Sequence, residues 1–101
     1  MVRLANYAKN LDKRGNQQYY RWRVFIDEPD SILDQISEVK YILHPTFPEP
    51  QQVQTNRGDK FALETSGWDS FTMLIEVTYK GGKVEKIPYF LDLGKDWPSD
   101  D

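Results

Sequence analysis

The chain has 101 residues, of which 39% are hydrophobic and 14% aromatic, and its formal net charge is −3. A chain of this length forms one domain around one core, and because it contains no cysteine it has neither disulfides nor thiolate metal sites. The negative net charge disfavours nucleic acid as a partner, since the field of the whole molecule repels a polyanion.

Alternation of apolar and polar residues predicts strands in the first part of the chain. Residues 2–9 give a weak first strand, and a polar connection is expected over residues 10–16. In the segment 20–26, every second side chain is apolar and lies on one face: Tyr20, Trp22, Val24 and Ile26. Residues 31–36 predict either one helical turn capped by Ser31 or a bend.

The middle of the chain contains two further predicted strands separated by a polar segment. Residues 38–43 predict another strand, with Val39, Tyr41 and Leu43 facing inward. The polar, proline-containing segment 48–59 is expected to have no regular structure, and a short strand is expected at residues 61–65.

The last part of the chain predicts a β-hairpin. Residues 71–79 alternate throughout, and Gly81-Gly82 predicts a tight turn before a return strand at residues 83–93. Pro88 within this strand indicates a sheet edge or a bulge, because proline cannot donate to a ladder.

Six to eight short strands with almost no helix predict an all-β fold, an immunoglobulin-like antiparallel β-sandwich. We expect residues 1–94 to form this domain and residues 95–101 to form an acidic C-terminal tail. The chain start lacks the apolar core of a signal peptide, and no apolar stretch approaches the roughly 18 residues of a membrane span. We therefore expect a cytoplasmic protein (nuclear if eukaryotic) without membrane contact.

His44 is the single histidine of the chain. A zinc or copper site needs several histidine or cysteine ligands, and nucleophilic catalysis needs a nucleophile beside a base. We therefore expect no metal, no cofactor and no catalytic residues. Taken alone, His44 is best explained as a strand-end histidine that hydrogen-bonds a backbone group.

Two aromatic residues fall in predicted loops, Phe47 before Pro48 and Trp68 after Gly67. Loop aromatics either contact a ligand or cover the edge of the core. Loops at one end of a rigid sandwich commonly carry a binding site. Two aromatic loops with a hydroxyl between them can hold a flat, neutral, polar group such as an amide.

Four segments together resemble the YEATS domain, a β-sandwich reader of acylated lysine. Residues 43–48 are similar to the family's Leu-His motif with a small hydroxyl residue and an aromatic, and residues 66–71 to its Gly-aromatic loop. Residues 5–8 resemble the Gly-Asn-x-Ala pattern of the first strand, and residues 20–25 the second strand with its tryptophan. The resemblance spans nearly the whole chain, and the chain looks most like a prokaryotic-type member.

The resemblance implies a role for each matching residue. Thr46 would hydrogen-bond the acyl amide, with its hydroxyl oriented by His44. Phe47 and Trp68 would sandwich the flat amide and acyl group. The resemblance thus implies a non-catalytic module that binds an acetylated or crotonylated lysine in a peptide.

Three further residues complete the implied site. Gly67 would let the chain approach the ligand, so that the Trp68 backbone N–H meets the acyl carbonyl, and Asp69 would lie beside the channel and interact with a basic peptide. Eukaryotic members often carry an aromatic residue or a histidine where this chain has Gln18. The adjacent Tyr19 is our candidate for that role.

Two other functions stay open on the residues alone. A carbohydrate-binding module would arrange the loop aromatics as an open, flat platform. A protein–protein adaptor of the same fold would have no acyl recognition, and its interface would lie on a sheet edge. In each case we expect a monomer.

Overall fold

Seven β-strands make up most of the chain in the computed structural model, which describes residues 2–98. They are β1 (Leu4–Arg14), β2 (Gln17–Ile26), β3 (Ile36–Ile42), β4 (Gln51–Gln54), β5 (Leu63–Gly67), β6 (Thr72–Tyr79) and β7 (Val84–Phe90). A three-stranded sheet has the order β1-β2-β5, and a four-stranded sheet has the order β4-β3-β6-β7. All paired strands are antiparallel. The predicted all-β, immunoglobulin-like sandwich is confirmed.

The core lies between the two sheets and contains the predicted inward faces of the strands. Its largest fully buried side chains are Trp22, Tyr41, Phe61, Ile26, Leu33, Met73, Ile75 and Leu91. Burying a large apolar side chain contributes roughly 1.5–3 kcal/mol, so this buried set is the main stabilising feature. Tyr20, the first residue of the predicted face of β2, is only half-buried because it lies near the end of the sheet.

The hairpin between β6 and β7 forms as predicted. The Tyr79 N–H donates to the Lys83 carbonyl (2.8 Å), and the Gly82 N–H donates to the Tyr79 carbonyl (2.9 Å). Gly82 has a φ of +96°, which favours glycine. Pro88 lies on β7, an edge strand, so its missing N–H leaves no gap inside the sheet.

The prediction of a polar connection at residues 10–16 is wrong. β1 continues to Arg14, and its register on β2 shifts between Asn10 and Lys13. The chain then turns through Gly15, whose φ is +62°. Backbone pairing across a hairpin does not need an apolar face, which is why a polar sequence forms a strand here.

Two further segments differ from expectation. The structureless segment at residues 48–59 contains β4, which pairs with β3, and a 3-10 turn at Arg57–Asp59. Ser31 is not the cap of its helix: α1 (Asp30–Leu33) follows Pro29 and has no side-chain cap. No helix within residues 2–98 is long and apolar enough to cross a membrane.

The segment after β7 contacts the first strand. The Ala8 N–H donates to the Lys95 carbonyl (2.8 Å), and the Trp97 N–H donates to the Ala8 carbonyl (3.2 Å). Of the predicted tail, residues 95–98 therefore pack on the sandwich, while residues 99–101 lie outside the described chain. The domain boundary at residue 94 stays a prediction.

Asn6 is a fully buried polar side chain that joins the first strand to the C-terminal part of the chain. Its Nδ2 donates to the Asp92 carbonyl (2.8 Å), and its Oδ1 accepts from the Tyr89 hydroxyl (2.6 Å) and the Asp92 N–H (3.2 Å). Burial, and then the charge of Asp92, raises the pKa of Tyr89, so its hydroxyl stays a donor. The network holds β1 against the chain that follows β7.

Candidate functional site

Three segments meet at one end of the sandwich. The loop after β3 begins beside the start of β6, because Ile42 pairs with Leu74. The loop after β5 begins beside Tyr20 of β2, because Gly67 pairs with Tyr20. Together with the start of β2, these loops enclose a cavity of about 510 Å³, hereafter the loop cavity.

All seven residues singled out from the sequence line the loop cavity: Tyr19, His44, Thr46, Phe47, Gly67, Trp68 and Asp69. The structure thus brings together residues up to 50 positions apart in the chain, from 19 to 69. Four more residues line it that were not named as site residues: Pro48, Ser66, Ser70 and Phe71. They lie within the two loop motifs at residues 43–48 and 66–71, so their place in those motifs could have identified them from the sequence. The binding role of every one of these residues stays a prediction.

A tight turn sets the geometry of the loop after β3. The Phe47 N–H donates to the His44 carbonyl (3.0 Å), which closes a four-residue turn with Pro45 at its second position. Proline presets the backbone angle needed there. The turn places the Thr46 hydroxyl oxygen 2.9 Å from His44 Nδ1, and the Thr46 N–H donates to the same nitrogen (3.3 Å).

This pair of contacts links the threonine hydroxyl to the imidazole, and the direction of their hydrogen bond follows from the histidine tautomer. In neutral His44 with its proton on Nε2, Nδ1 accepts from the Thr46 hydroxyl and from the longer contact with the Thr46 N–H, and the oxygen lone pairs remain available. Both side chains are exposed at the loop cavity. The site therefore presents a hydrogen-bond acceptor whose orientation is fixed by the protein.

The two aromatic walls of the loop cavity differ in how they are held. Phe47 is half-buried, and its ring lies 5.4 Å from the Phe71 ring and 6.4 Å edge-on from the Trp22 ring. Trp68 is 50% exposed and forms no ring pair with the aromatic residues of the described chain. One wall is anchored in the core, and the other projects from the β5–β6 loop.

Gly67 lies at the end of β5, next to the Phe47 wall. A Cβ atom at this position would lie 3.7 Å from Phe47 Cζ and 3.9 Å from Trp22 Nε1, which are ordinary contact distances. The glycine therefore leaves a small space beside the ring that any other residue would fill.

Tyr19 forms part of the rim, and Gln18 does not. The Gln18 amide donates to the Asp12 carbonyl (3.2 Å) and the Tyr19 carbonyl (2.9 Å), so its side chain is used within the β1–β2 hairpin. The Arg14 guanidinium lies 4.5 Å from the centre of the Tyr19 ring. This cation–π contact supports the ring from the hairpin side.

Charge at the loop cavity is low. Asp69 is exposed on the rim, and its Oδ1 accepts from the Ser70 N–H (2.9 Å). No group of three or more potential ligands that could hold a metal ion occurs among residues 2–98. The arrangement combines aromatic surface, one oriented acceptor and one carboxylate at the mouth.

The sequence matches the model of the prokaryotic YEATS domain over residues 20–92. No curated protein sequence matches the chain. A solved structure of the Yaf9 YEATS domain recognising an H3K122suc peptide is similar, with a TM-score of 0.73, 23% identity, and coverage of 92% of this chain and 77% of that chain. Another structure of the Yaf9 domain has a TM-score of 0.72 and 26% identity, covering 92% and 74%.

A further similar structure is the Yaf9 YEATS domain bound to H3K27ac, with a TM-score of 0.70 and 23% identity, covering 92% of this chain and 76% of that chain. Yaf9 is described as a yeast homologue of AF-9. The family match covers more than half of the sequence, and the two-sheet architecture agrees with it. The chain therefore belongs to the prokaryotic YEATS domain family.

Proposed function

We propose that this chain is a non-catalytic binding module that recognises an acylated lysine in a peptide or protein. The observation that carries the proposal is the oriented Thr46 hydroxyl, 2.9 Å from His44 Nδ1, at a cavity lined by Phe47 and Trp68. The Yaf9 domains of the same fold, which bind acetylated and succinylated histone peptides, support it.

The Thr46 hydroxyl oxygen is a suitable acceptor for the amide N–H that acylation of a lysine creates. An acylated lysine carries one amide N–H in place of its charged ammonium group. With His44 protonated on Nε2, the Thr46 hydroxyl donates to Nδ1, and its oxygen would accept from that amide N–H. The planar amide and its acyl chain would then stack between Phe47 and Trp68.

The same surroundings disfavour unmodified lysine. An ammonium group needs several acceptors or a counter-charge when it leaves water, at a cost of several kcal/mol. The loop cavity is lined by aromatic side chains and hydroxyl-bearing residues, and its one carboxylate, Asp69, lies on the exposed rim. Asp69 is therefore placed to interact with basic residues that flank the acylated lysine.

The affinity should be modest. Two stacking faces at about 0.5–1.5 kcal/mol each and a few hydrogen bonds of about the same net value are offset by the ordering of the peptide. We expect a Kd of roughly 10 µM to 1 mM.

The test is a titration, followed by Trp fluorescence and calorimetry, of one peptide in acetylated, crotonylated and unmodified forms. We expect binding of the acylated forms and at least tenfold weaker binding of the unmodified form. Trp68→Ala should abolish acyl-dependent binding without unfolding the domain, since the side chain is half exposed. Equal binding of modified and unmodified peptides would contradict the proposal.

A matched control is available outside the loop cavity. Phe90 is also aromatic and is 61% exposed, but it lies on β7 and does not line the loop cavity. Phe90→Ala should bind the acylated peptides as the wild type does. A loss of binding in both variants would point to a different surface, such as the sheet edge that an adaptor would use.

A further inference from the structure

One edge of β2 has no neighbouring strand where it reaches the loop cavity. β5 pairs with β2 only from Tyr20 to Val24, and Tyr20 pairs with Gly67, the last residue of β5. The chain then bends away at residues 68 and 69. Residues 17–19 of β2 therefore have β1 on one side and no strand of the described chain on the other. Such an edge carries backbone groups that can pair with another chain.

The backbone of Gln18 faces this free edge. Gln17 pairs with Arg14 across the turn, and the Tyr19 carbonyl accepts from Gln18 Nε2, which also donates to the Asp12 carbonyl of β1. The backbone groups of residues 17 and 19 thus point to β1. Because successive residues of a strand direct their N–H and C=O groups to opposite edges, those of Gln18 point to the β5 side. No residue of β5 or of the loop after it bonds to them in the described chain.

A strand added at this edge would point one side chain at the loop cavity. Side chains two residues apart share a face of a strand, so a residue opposite Gln18 lies on the same face as Gly67, which pairs with Tyr20. That face carries Phe47, since a Cβ atom at Gly67 would lie 3.7 Å from Phe47 Cζ. The residue opposite Gln18 would be about 7 Å beyond Gly67 along the strand direction. Gly67, Phe47 and Trp68 all line the loop cavity.

Building on the proposed function, we propose that the acylated peptide adds to β2 as a short antiparallel strand in line with β5, and that the acyl-lysine is the residue that pairs with Gln18. Its backbone N–H would donate to the Gln18 carbonyl, and its carbonyl would accept from the Gln18 N–H. These main-chain bonds would supply affinity, and the loop cavity would select the acylated side chain. The partner is thus an extended segment, since a lysine inside a helix has its backbone groups already bonded.

N-methylation of the peptide backbone tests this pairing. One acylated peptide carries the methyl group on the backbone nitrogen of the acyl-lysine, and a second carries it on the following residue, whose N–H would point away from β2. We expect the first to bind at least about tenfold more weakly than the unmethylated peptide and the second to bind within about threefold of it, measured by calorimetry, because only the first loses a hydrogen bond to Gln18. Equal affinities of the two methylated peptides, or weaker binding of the second, would overturn the inference.

Gln18→Pro removes the same pairing from the protein side. Proline lacks the N–H that faces the free edge, and an edge position tolerates proline because no bond within the sheet is lost. The comparison variant is Gln18→Ala, which also lacks the side-chain bonds to Asp12 and Tyr19 but keeps the N–H. With folding of both variants checked by near-UV circular dichroism, the acyl-peptide affinity should be about 3–10-fold lower in Gln18→Pro than in Gln18→Ala. Equal affinity in the two folded variants would contradict the added strand, and the peptide series decides the question if the proline variant does not fold.

Hydrogen exchange separates this inference from the function on which it rests. The Gln18 backbone amide should exchange rapidly in the free domain and at least about tenfold more slowly with saturating acylated peptide. An unchanged exchange rate at Gln18 with the peptide bound would overturn this inference alone. Absence of binding by every acylated peptide would overturn the proposed function and this inference together.

Discussion

Asn6 and Thr46 are both polar side chains beside aromatic rings, but the protein treats them in opposite ways. Asn6 is fully buried, and both of its polar atoms are bonded to Tyr89 and Asp92. Thr46 is exposed, and its single hydrogen bond with His44 Nδ1 (2.9 Å) leaves its hydroxyl with further hydrogen-bonding capacity. Asn6 in the interior is used by the fold, whereas Thr46 at the loop cavity keeps hydrogen-bonding capacity for a ligand.

The same contrast holds for the aromatic residues. Tyr41 in the core donates its hydroxyl to the Phe61 carbonyl (2.7 Å), and burial, followed by the charge of Asp59, raises its pKa so that it remains a donor. Trp68 at the cavity projects into solvent without a ring partner in the described chain. Stability and binding should therefore be separable by mutation at these two regions.

The largest effect should come from the buried network. Asn6→Leu leaves the Tyr89 hydroxyl and both backbone groups of Asp92 without their partner. We expect the free energy of unfolding to fall by about 2–4 kcal/mol and Tm to fall by roughly 10–25 °C, measured by thermal and urea denaturation. Tyr89→Phe removes one of these hydrogen bonds and should cost about 1 kcal/mol. A smaller loss in Asn6→Leu than in Tyr89→Phe would contradict the view that Asn6 organises the network.

A smaller and different effect is expected at Thr46. Thr46→Val keeps the shape of the side chain and removes the hydroxyl, so acyl-peptide affinity should fall about 3–10-fold, while unfolding free energy changes by less than about 0.5 kcal/mol because the residue is exposed. Thr46→Ser, which retains the hydroxyl, is the matched control and should bind within about twofold of the wild type. Wild-type affinity in Thr46→Val would show that the oxygen is not the acceptor.

The smallest expected effect is on the free energy of unfolding at acidic pH, and it concerns Glu85 at the end of the sandwich opposite the loop cavity. Burial by itself would raise the pKa of Glu85, but hydrogen bonds from the Tyr79 hydroxyl (2.8 Å) and the Val2 N–H (3.4 Å) outweigh it, and the pKa of Glu85 is lowered. Burial and the same hydrogen bond raise the pKa of Tyr79 to about 12. A lowered carboxyl pKa adds stability above the usual value of about 4.3, and this stability is lost as the pH falls through the lowered pKa.

This end of the fold can be tested by comparing wild type and Tyr79→Phe in urea between pH 6 and pH 3. The wild type should lose more stability over this interval than the variant, because the variant lacks one of the bonds that lower the pKa of Glu85. Acyl-peptide binding at pH 7 should be the same in both. An equal loss of stability would show that the hydrogen bond does not shift the titration.

Much of the fold was predictable because the alternation of apolar and polar residues along a strand is a local property of the sequence. The inward faces of β2, β3 and β6 follow from a period of two, and the Gly81-Gly82 turn follows from backbone freedom. The strands missed were those held by backbone pairing alone: the second half of β1, with its shift between Asn10 and Lys13, and β4 at a sheet edge. Neither requires an apolar face, so neither leaves a hydrophobic pattern in the sequence.

Six of the seven site residues were named from two loop motifs that resemble those of a known family, and Tyr19 was named from its position beside Gln18; all seven line the loop cavity. Other features had no sequence signal. Three of them depend on how separate segments pack. They are the hydrogen bonds of Gln18 within the β1–β2 hairpin, the contact of Arg14 with the Tyr19 ring, and the Trp22 N–H without a partner in the described chain.

By itself, the sequence determined the strand faces, the single core, the hairpin turn and the residue types available in two loops, because each is set by neighbours close in the chain. Only the tertiary structure decided that residues 19, 44, 46–48 and 66–71 line one cavity, that the Thr46 hydroxyl lies 2.9 Å from His44 Nδ1, and that Trp22 Nε1 is buried next to Gly67. These depend on the register of β2 with β5 and of β3 with β6, which is fixed when the two sheets close on their shared core.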